Sequence, residues 1–332
     1  MTAPQPRPRS LPPLTLGKVG FGGAPLGNLF TAIDDEAAHA AVDAAWDSGI
    51  RYFDTAPHYG LGLSERRLGA ALRDHPRDDY VLSTKVGRLL DPVPDVDPAD
   101  IHAADDQGFE VPATVTRRWD FTADGVRRSI EESLERLGLS RIDIAYLHDP
   151  DDHVEQALDE AYPALEKLRE EGVLRAIGVG MNQSAVPTRF VTETDIDVVL
   201  LAGRYTLLDQ SASRDLLPAA EARGVAIVLG GVFNSGLLAD PRNAATYDYA
   251  PAPPELIDRA LEIEQICLEH GVPLRAAALQ FGLAHPAVAS ALIGIRDAAQ
   301  ARDCAAMAGV PIPEMLWQSL RERGLIDRDN EV

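Results

Sequence analysis

The feature of this sequence that most limits its fold is an alternation, repeated eight times, of short apolar segments with longer amphipathic ones. Each apolar segment is bounded by glycine or proline and lacks strict polar alternation, which is typical of strands buried on both faces. The longer segments carry apolar residues at helical spacing; in 123–138 these are Val126, Ile130, Leu134 and Leu137. This order predicts a parallel α/β protein. Eight repeats without a linker-like break favour a closed (β/α)8 TIM barrel over a doubly wound sheet.

The first residues, 1–13, are rich in proline and arginine and are predicted to form a flexible tail, with 14–332 as a single barrel domain. The stretch LTLGKVGFGGAPLG, residues 14–27, predicts a short hairpin and then a strand that ends in a glycine-rich loop. That loop lacks the GxGxxG spacing of a doubly wound dinucleotide-binding protein. The predicted helices span 34–49, 64–74, 123–138, 153–172, 184–194, 211–224, 254–271, 274–285, 297–308 and 313–324.

One connection, residues 87–120, is much longer than the others and follows the third predicted strand. A loop of that length is usually functional or disordered. Its acids and prolines predict exposure to solvent, whereas Phe109 and Trp119 are large apolar side chains that a fully solvated loop has no reason to carry. We therefore expect a partly ordered flap over the strand ends.

The charge balance limits the partners of the chain. Its 31 basic and 52 acidic residues give a formal net charge of -21, which disfavours nucleic acid and anionic membranes. No apolar run reaches the roughly 18 residues that span a bilayer. The two cysteines, Cys267 and Cys304, have no metal-binding or CxxC spacing, so no metal site is predicted and a reducing cytoplasm is expected. The sequence does not indicate an oligomeric state.

Four polar residues lie at or just after the predicted carboxyl ends of three strands. Asp54 and Tyr59 belong to the stretch FDTAPHYG, Lys85 ends VLSTK, and His148 ends IAYLH. In a barrel these ends face a common mouth. Each residue alone has an ordinary structural interpretation, a helix cap for the aspartate or a hydrogen-bonded histidine, but together they form a chemically coherent set.

The coherence of this set is electrostatic. A free tyrosine has a pKa of about 10 and is a poor acid or base near neutrality, and a nearby ammonium lowers that pKa. Lys85 can supply the ammonium, and Asp54 can balance its charge. His148 is then placed to hold a substrate oxygen at the Tyr59 hydroxyl. Such a site, with neither metal nor nucleophile, suits carbonyl/alcohol interconversion with a cofactor that carries the hydride.

Four longer segments, FDTAPHYGLGLSERRLGAAL, STKVGR, RIDIAYLHDPD and RAIGVGMNQ, resemble motifs of the aldo-keto reductase superfamily in the same order. The resemblance covers nearly the whole chain. It implies a (β/α)8 barrel with an N-terminal β-hairpin at the barrel bottom, and a nicotinamide cofactor bound without a Rossmann domain. It also implies a catalytic tetrad of Asp54, Tyr59, Lys85 and His148.

Finer motifs, GFGGAPLGNLF, GVGMNQ, AGRYTLLDQ and GGVFNSGLL, are similar to the branch with aldose 1-dehydrogenases, such as L-fucose dehydrogenase, and pyridoxal 4-dehydrogenase. This implies oxidation of the C1 hydroxyl of a cyclic aldose, or of a pyridoxal hemiacetal, to a lactone, with Tyr59 as the base and His148 positioning the oxygen. Two alternatives stay open: an NADPH-dependent aldehyde or ketone reductase with the same tetrad, and a cofactor-binding regulatory subunit like those of potassium channels.

The resemblance also implies a set of cofactor-binding residues, Gly23, Asn182, Gly231, Phe233, Ser235, Gly294 and Arg296. The loop 231–236 has a second interpretation, a plain turn in which glycines supply positive φ. The chain departs from the wider family at Ala202, where a glutamine is common, and at Gly230, where a stacking tyrosine is common, so Arg204 is a candidate for a polar role.

The choice between NAD and NADP rests on two adjacent residues. Arg296 is able to pair with a 2′-phosphate, whereas Asp297 would accept a hydrogen bond from a free 2′-hydroxyl and repel phosphate. The branch resemblance favours NAD slightly.

A small-molecule substrate is expected to contact His58, Trp119 and Phe30 around the mouth. Trp119 has two interpretations, an aromatic wall against a sugar face or core packing beneath the flap. His58 likewise either touches substrate or caps the turn beside Tyr59.

Overall fold

Eight parallel strands form a closed barrel in the computed structural model, which describes residues 14–93, 104–243, 246–248 and 250–327. Around the barrel the strand order is β1-β2-β3-β6-β7-β8-β9-β12, with β12 pairing back to β1. The predicted (β/α)8 TIM barrel is confirmed. The strands are β1 (Val19–Gly22), β2 (Tyr52–Asp54), β3 (Val81–Val86), β4 (Arg88–Pro92), β5 (Val115–Trp119), β6 (Ile144–His148), β7 (Ala176–Met181), β8 (Val198–Ala202), β9 (Ala226–Gly230), β10 (Thr246–Tyr247), β11 (Ala250–Pro251) and β12 (Val288–Gly294).

Helices follow the barrel strands and lie close to the predicted ranges. They are α1 (Asp35–Asp47), α2 (Leu63–Leu72), α3 (Ala123–Leu137), α4 (Val154–Gln156), α5 (Tyr162–Glu170), α6 (Ala185–Glu193), α7 (Leu216–Arg223), α8 (Pro254–Glu269), α9 (Leu274–Leu283), α10 (Ala298–Met307) and α11 (Glu314–Glu322). A π-helical turn, Ala157–Ala161, joins α4 to α5. It precedes Pro163, which has no N–H to continue a regular helical ladder. None of the helices in the described ranges has the length and apolar character needed to cross a membrane.

The strand register places the polar strand ends at one rim of the barrel. Asp54 lies opposite Gly22 on one side and Ser83 on the other. Lys85 lies opposite Tyr146, and His148 lies opposite Gly180. Because all eight strands are parallel, these positions lie near the same carboxyl-terminal edge, which is where sites form in such barrels.

The barrel bottom differs from the prediction. The hairpin expected from residues 14–27 does not form, since 14–18 contains no strand and 19–22 is the first barrel strand. Leu14 and Leu16 instead pack against the apolar cluster at the bottom, which includes Tyr52 and Tyr146. Burying these two side chains stabilises an unpaired segment, so no second strand is needed to cover the barrel. The predicted tail, 1–13, lies outside the described residues, and the single domain over 14–332 stays a prediction.

The long loop after the third strand is confirmed, and its two ends form an antiparallel pair of strands, β4 and β5. The chain leaves β3 through Gly87, whose φ is 105° and whose added Cβ would lie 2.3 Å from the Phe121 ring. Only glycine fits both conditions. We call residues 88–93 and 104–121 the flap. Within the flap, Phe109 and Val111 are buried together with Leu61 of the loop after β2.

Helix α2 packs unusually close to α3 at Gly69, where an added Cβ would lie 1.9 Å from the Leu137 carbonyl oxygen. We expect Gly69→Ala to lower the free energy of unfolding by about 1–3 kcal/mol, because backbone must move to admit the methyl group. Gly309→Ala is the matched control, since its nearest contact would be an ordinary 3.6 Å. Urea unfolding of the two variants measures the difference, and equal stabilities would contradict the close packing.

Candidate active site

A buried ion pair between Lys85 and Asp54 lies at the centre of the candidate site. Lys85 Nζ donates to Asp54 Oδ2 at 2.6 Å and to the Thr55 carbonyl oxygen at 3.0 Å. Both side chains are almost fully buried, at 1% and 2% exposure. Burial by itself would lower the pKa of Lys85, but Asp54 and Tyr59 outweigh it and raise that pKa above its ordinary value. The amine is therefore a permanent cation at neutral pH.

A chain of hydroxyl groups holds the other carboxylate oxygen of Asp54. Ser83 Oγ donates to Asp54 Oδ1 at 2.6 Å. The Tyr52 hydroxyl is 3.1 Å from Ser83 Oγ and 3.0 Å from the Tyr146 hydroxyl. Burial raises the pKa of Asp54, and Lys85 and Ser83 oppose that rise. Both carboxylate oxygens thus have donors, which a buried anion requires.

Tyr59 lies on the loop after β2, directly above the lysine. Lys85 Nζ is 4.7 Å from the centroid of the Tyr59 ring, and Tyr59 is one of the groups that raise the pKa of Lys85. Close backbone contact fixes this loop, because an added Cβ on Gly27 would lie 2.6 Å from the Tyr59 carbonyl carbon. A cation at this distance favours negative charge on the phenol oxygen.

Two histidine rings, those of His58 and His148, lie close to the Tyr59 ring. The His148 ring is 5.9 Å from the Tyr59 ring and 5.6 Å from the His58 ring, measured between centroids. Burial, helped by Arg88 and other nearby cations, lowers the pKa of His148 well below its ordinary value. Burial, followed by the charges of Arg88, Arg117 and Lys85, lowers the pKa of His58 to about 2. Both rings are therefore neutral near pH 7, and each keeps one donor and one acceptor nitrogen.

Two charged residues that were not predicted from the sequence, Arg88 and Asp149, border the mouth. Arg88 Nη2 forms an ion pair with Asp149, and Asp149 Oδ2 is 3.6 Å from His148 Nε2. The motif STKVGR contains Arg88, and HDP contains Asp149. The available signal was their position, two residues after β3 and one residue after β6.

Of the three expected substrate residues, His58 lies next to the tetrad, whereas Trp119 and Phe30 are exposed side chains. His58 lies against Tyr59, His148 and the flap residue Phe109, with the His58 and Phe109 ring centroids 5.2 Å apart. Trp119 is 44% exposed, and the Arg88 guanidinium carbon lies 4.3 Å from its ring centroid. Phe30 is 55% exposed and joins the flap through its backbone N–H, which donates to the Gly108 carbonyl oxygen at 2.9 Å.

Most of the expected cofactor residues lie on the half of the barrel next to the tetrad. The tetrad comes from β2, β3 and β6, whereas Asn182 follows β7, the 231–236 loop follows β9, and Gly294 and Arg296 lie at the end of β12. Gly23 lies between the two sets, because it follows β1, which pairs with β12 on one side and with β2 on the other. Its N–H donates to the Asp54 carbonyl oxygen at 2.8 Å, and an added Cβ would meet that oxygen at 2.7 Å.

This half of the barrel has polar atoms that fit a nicotinamide cofactor. Asn234 Oδ1 and Arg296 Nε are buried polar atoms without a protein partner. Such atoms call for a ligand or water. Arg204, a candidate for a polar role here, forms an ion pair with Asp248 at 2.6 Å.

The depressed pKa of His58 has a consequence for stability. The unfolded chain takes up a proton at this residue below about pH 6.5, while the folded chain does not. Stability should therefore fall as pH drops below that value, by at most about 1.4 kcal/mol per pH unit from this residue. We expect His58→Gln to unfold in urea with a shallower pH slope between pH 6.5 and 5 than the unsubstituted protein.

The same comparison at pH 8, where both states carry a neutral histidine, isolates any change in packing. Parallel pH curves for the two proteins would show that His58 takes up its proton equally in the folded and unfolded states.

Comparison with known proteins agrees with this geometry. The chain is 51% identical over 316 residues to D-threo-aldose 1-dehydrogenase from Pseudomonas sp, covering 94% of this chain and 95% of that protein. It is 42% identical over 333 residues to pyridoxal 4-dehydrogenase from Microbacterium luteolum, covering 94% and 95%. An aldo-keto reductase from Bacillus halodurans in its holo form superposes with a TM-score of 0.73 at 26% identity, covering 99% of both chains. The Aldo/keto reductase family matches residues 18–323, and the chain belongs to this family of nicotinamide-dependent oxidoreductases.

Proposed function

We propose that this protein oxidises the C1 hydroxyl of a cyclic aldose, or of a pyridoxal hemiacetal, to a lactone. The observation that carries the proposal is the buried Lys85 ammonium, which donates to Asp54 and lies 4.7 Å from the centroid of the Tyr59 ring. The dehydrogenase names of the two relatives support oxidation as the direction.

Each member of the tetrad has a separate task in this proposal. Tyr59 in its phenolate form accepts the proton of the substrate hydroxyl. The Lys85 ammonium stabilises the negative charge of that phenolate. Asp54 keeps Lys85 protonated and fixed. Neutral His148 hydrogen bonds to the substrate oxygen and holds it beside the Tyr59 hydroxyl. When bound, the nicotinamide cofactor supplies the acceptor for the hydride that leaves the same carbon. The two electrons and two hydrogens lost by the alcohol are thereby accounted for.

The neutral state of His148 matters for this arrangement. A protonated imidazole would donate from both nitrogens and place a second cation beside the reacting oxygen. Burial and the charges of Arg88 and Lys85 prevent that protonation. His148 therefore orients the oxygen without competing with Tyr59 for the proton.

Reduction of an aldehyde or ketone by NADPH is the second candidate, since the same tetrad serves both directions. Nothing in the geometry favours it over oxidation, and both relatives named above are dehydrogenases. Steady-state assays with L-fucose plus NAD, pyridoxal plus NAD, and an aromatic aldehyde plus NADPH separate the candidates. Turnover of the third pair alone would contradict the proposed function.

Tyr59→Phe removes only the hydroxyl group. We expect kcat to fall by about 10²–10⁴-fold, the usual contribution of a positioned acid or base, with cofactor affinity unchanged within about twofold. Tyr80→Phe is the matched control, because the Tyr80 hydroxyl is buried without a partner and lies at the start of β3, away from the mouth. Stopped-flow turnover and calorimetric cofactor titration provide the two readouts. Loss of cofactor binding in Tyr59→Phe would show a structural tyrosine instead.

NAD as the preferred cofactor is part of the proposal, and Asp297 supports it. Asp297 Oδ1 caps α10 by accepting from the Gln300 N–H at 2.8 Å, so a carboxylate stands at the beginning of this helix. Asp297→Ser keeps a good cap while it removes the charge. We expect the ratio of kcat/KM for NAD to that for NADP to fall about tenfold, equivalent to about 1.4 kcal/mol.

Arg296→Met provides the complementary variant, in which the candidate phosphate-binding cation is removed. Two results together would show that Arg296 sets the cofactor preference. One is an unchanged ratio of kcat/KM for NAD to that for NADP in Asp297→Ser, and the other is loss of NADP use in Arg296→Met.

A further inference from the structure

Arg88 is a cation at the mouth of the site that the proposed tetrad chemistry does not use. Its side chain is only 12% exposed. The guanidinium carbon lies 4.3 Å from the centroid of the Trp119 ring, and Nη2 forms an ion pair with Asp149. A guanidinium held on two sides in this way is already oriented before any ligand arrives.

Local backbone structure brings Arg88 to this position. Gly87, with a φ of 105°, turns the chain out of β3 into β4 just after Lys85. Arg88 then pairs with Trp119 across the flap strands. The same turn that ends the catalytic strand therefore places a second cation over the barrel mouth, three residues after the first.

Arg88 is close enough to the reacting groups to contact a substrate held by them. Its ion-pair partner Asp149 is 3.6 Å from His148 Nε2. Its charge also acts on His58, on His148 and on Tyr59. These are the groups that surround the substrate oxygen in the proposed reaction.

The guanidinium also has donors to spare. Within the described ranges its hydrogen bond to Asp149 is made by Nη2, so Nη1 is able to donate to a ligand. Arg88 borders a cavity of about 260 Å³, lined also by Trp119, Asp149, Asp151, Asp152, His153 and Asn182. That volume is near the lower end for small-ligand pockets.

The charges around this cavity indicate a neutral ligand group. Asp149, Asp151 and Asp152 outnumber Arg88, so a phosphate or carboxylate would meet net negative charge. A hydroxyl group both donates and accepts. It can accept from Arg88 while it donates to Asp149, which satisfies both members of the ion pair.

We propose that Arg88 binds the hydroxyl group on the carbon next to the reacting carbon, and so selects 2-hydroxy substrates over their deoxy counterparts. This inference rests on the proposed function in its aldose form, because the carbon next to the reacting carbon of a pyridoxal hemiacetal is a ring carbon without a hydroxyl group. A substrate that lacks the hydroxyl leaves a guanidinium donor of the half-buried Arg88 side chain without that acceptor. Because a hydrogen bond to a charged group is lost, discrimination of about 10–100-fold is expected.

The test compares kcat/KM for L-fucose and for 2-deoxy-L-fucose at saturating NAD. The unsubstituted protein should prefer L-fucose by about 10–100-fold. Arg88→Met should reduce that preference to about threefold or less, mainly through loss of L-fucose activity, and Arg88→Lys should restore part of it. Arg118→Met is the matched control. It lies on the other flap strand, is 47% exposed and pairs with Asp91 and Asp120, so the preference should not change.

Equal losses on both sugars in Arg88→Met and Arg88→Lys would overturn the inference, because they would show a structural or general positioning role. Arg88→Lys, which keeps the charge beside Asp149, answers the question if Arg88→Met fails to fold. Turnover of neither sugar by the unsubstituted protein would instead overturn the proposed aldose oxidation and this inference with it. A preference within twofold in the unsubstituted protein would overturn the inference alone.

Discussion

The buried ion pair of Lys85 and Asp54 determines how the rest of this site is built. An isolated charge cannot be kept at 1% exposure, so the amine needs the carboxylate, and the carboxylate needs further donors. The barrel supplies them through adjacent strands: Asp54 ends β2, Ser83 and Lys85 belong to β3, and the hydroxyl chain continues through Tyr52. Breaking such a pair by removing one partner typically costs about 3–5 kcal/mol.

The same pair connects stability with the proposed chemistry. A cation held rigidly beneath the Tyr59 ring stabilises charge on the phenol oxygen without reorganising during the reaction. The histidines at the mouth respond to the same field, since Lys85 and Arg88 help to keep His148 neutral. The flap adds side chains at the mouth that the barrel strands do not supply, those of Arg88, Phe109 and Trp119. Rigid strands thus hold the proton-transfer groups, while a loop shapes the substrate side.

The sequence was informative where a residue's position on a strand determines its surroundings. Asp54, Lys85 and His148 end barrel strands, so the fold alone predicts that they share one rim. The sequence was less informative about contacts that depend on the path of a long loop back to the barrel. Nothing in the amino-acid sequence indicates that Arg88 pairs with Asp149, 61 residues away, or that the Trp119 ring lies against the Arg88 guanidinium. The hairpin was predicted wrongly at 14–18 because two alternating leucines fit a paired strand and an unpaired segment packed on the barrel bottom equally well.

The central claim is that the Lys85 ammonium makes the Tyr59 phenol acidic enough to exchange a proton near neutral pH. The most direct measurement is the ultraviolet difference titration of the Tyr59 phenolate, obtained by subtracting the spectrum of Tyr59→Phe from that of the intact protein. The same subtraction in a Lys85→Met background, with folding checked by circular dichroism, gives the comparison. Our account predicts that Tyr59 ionises at a pH at least about one unit lower when Lys85 is present. Ionisation at the same pH in both backgrounds would contradict it.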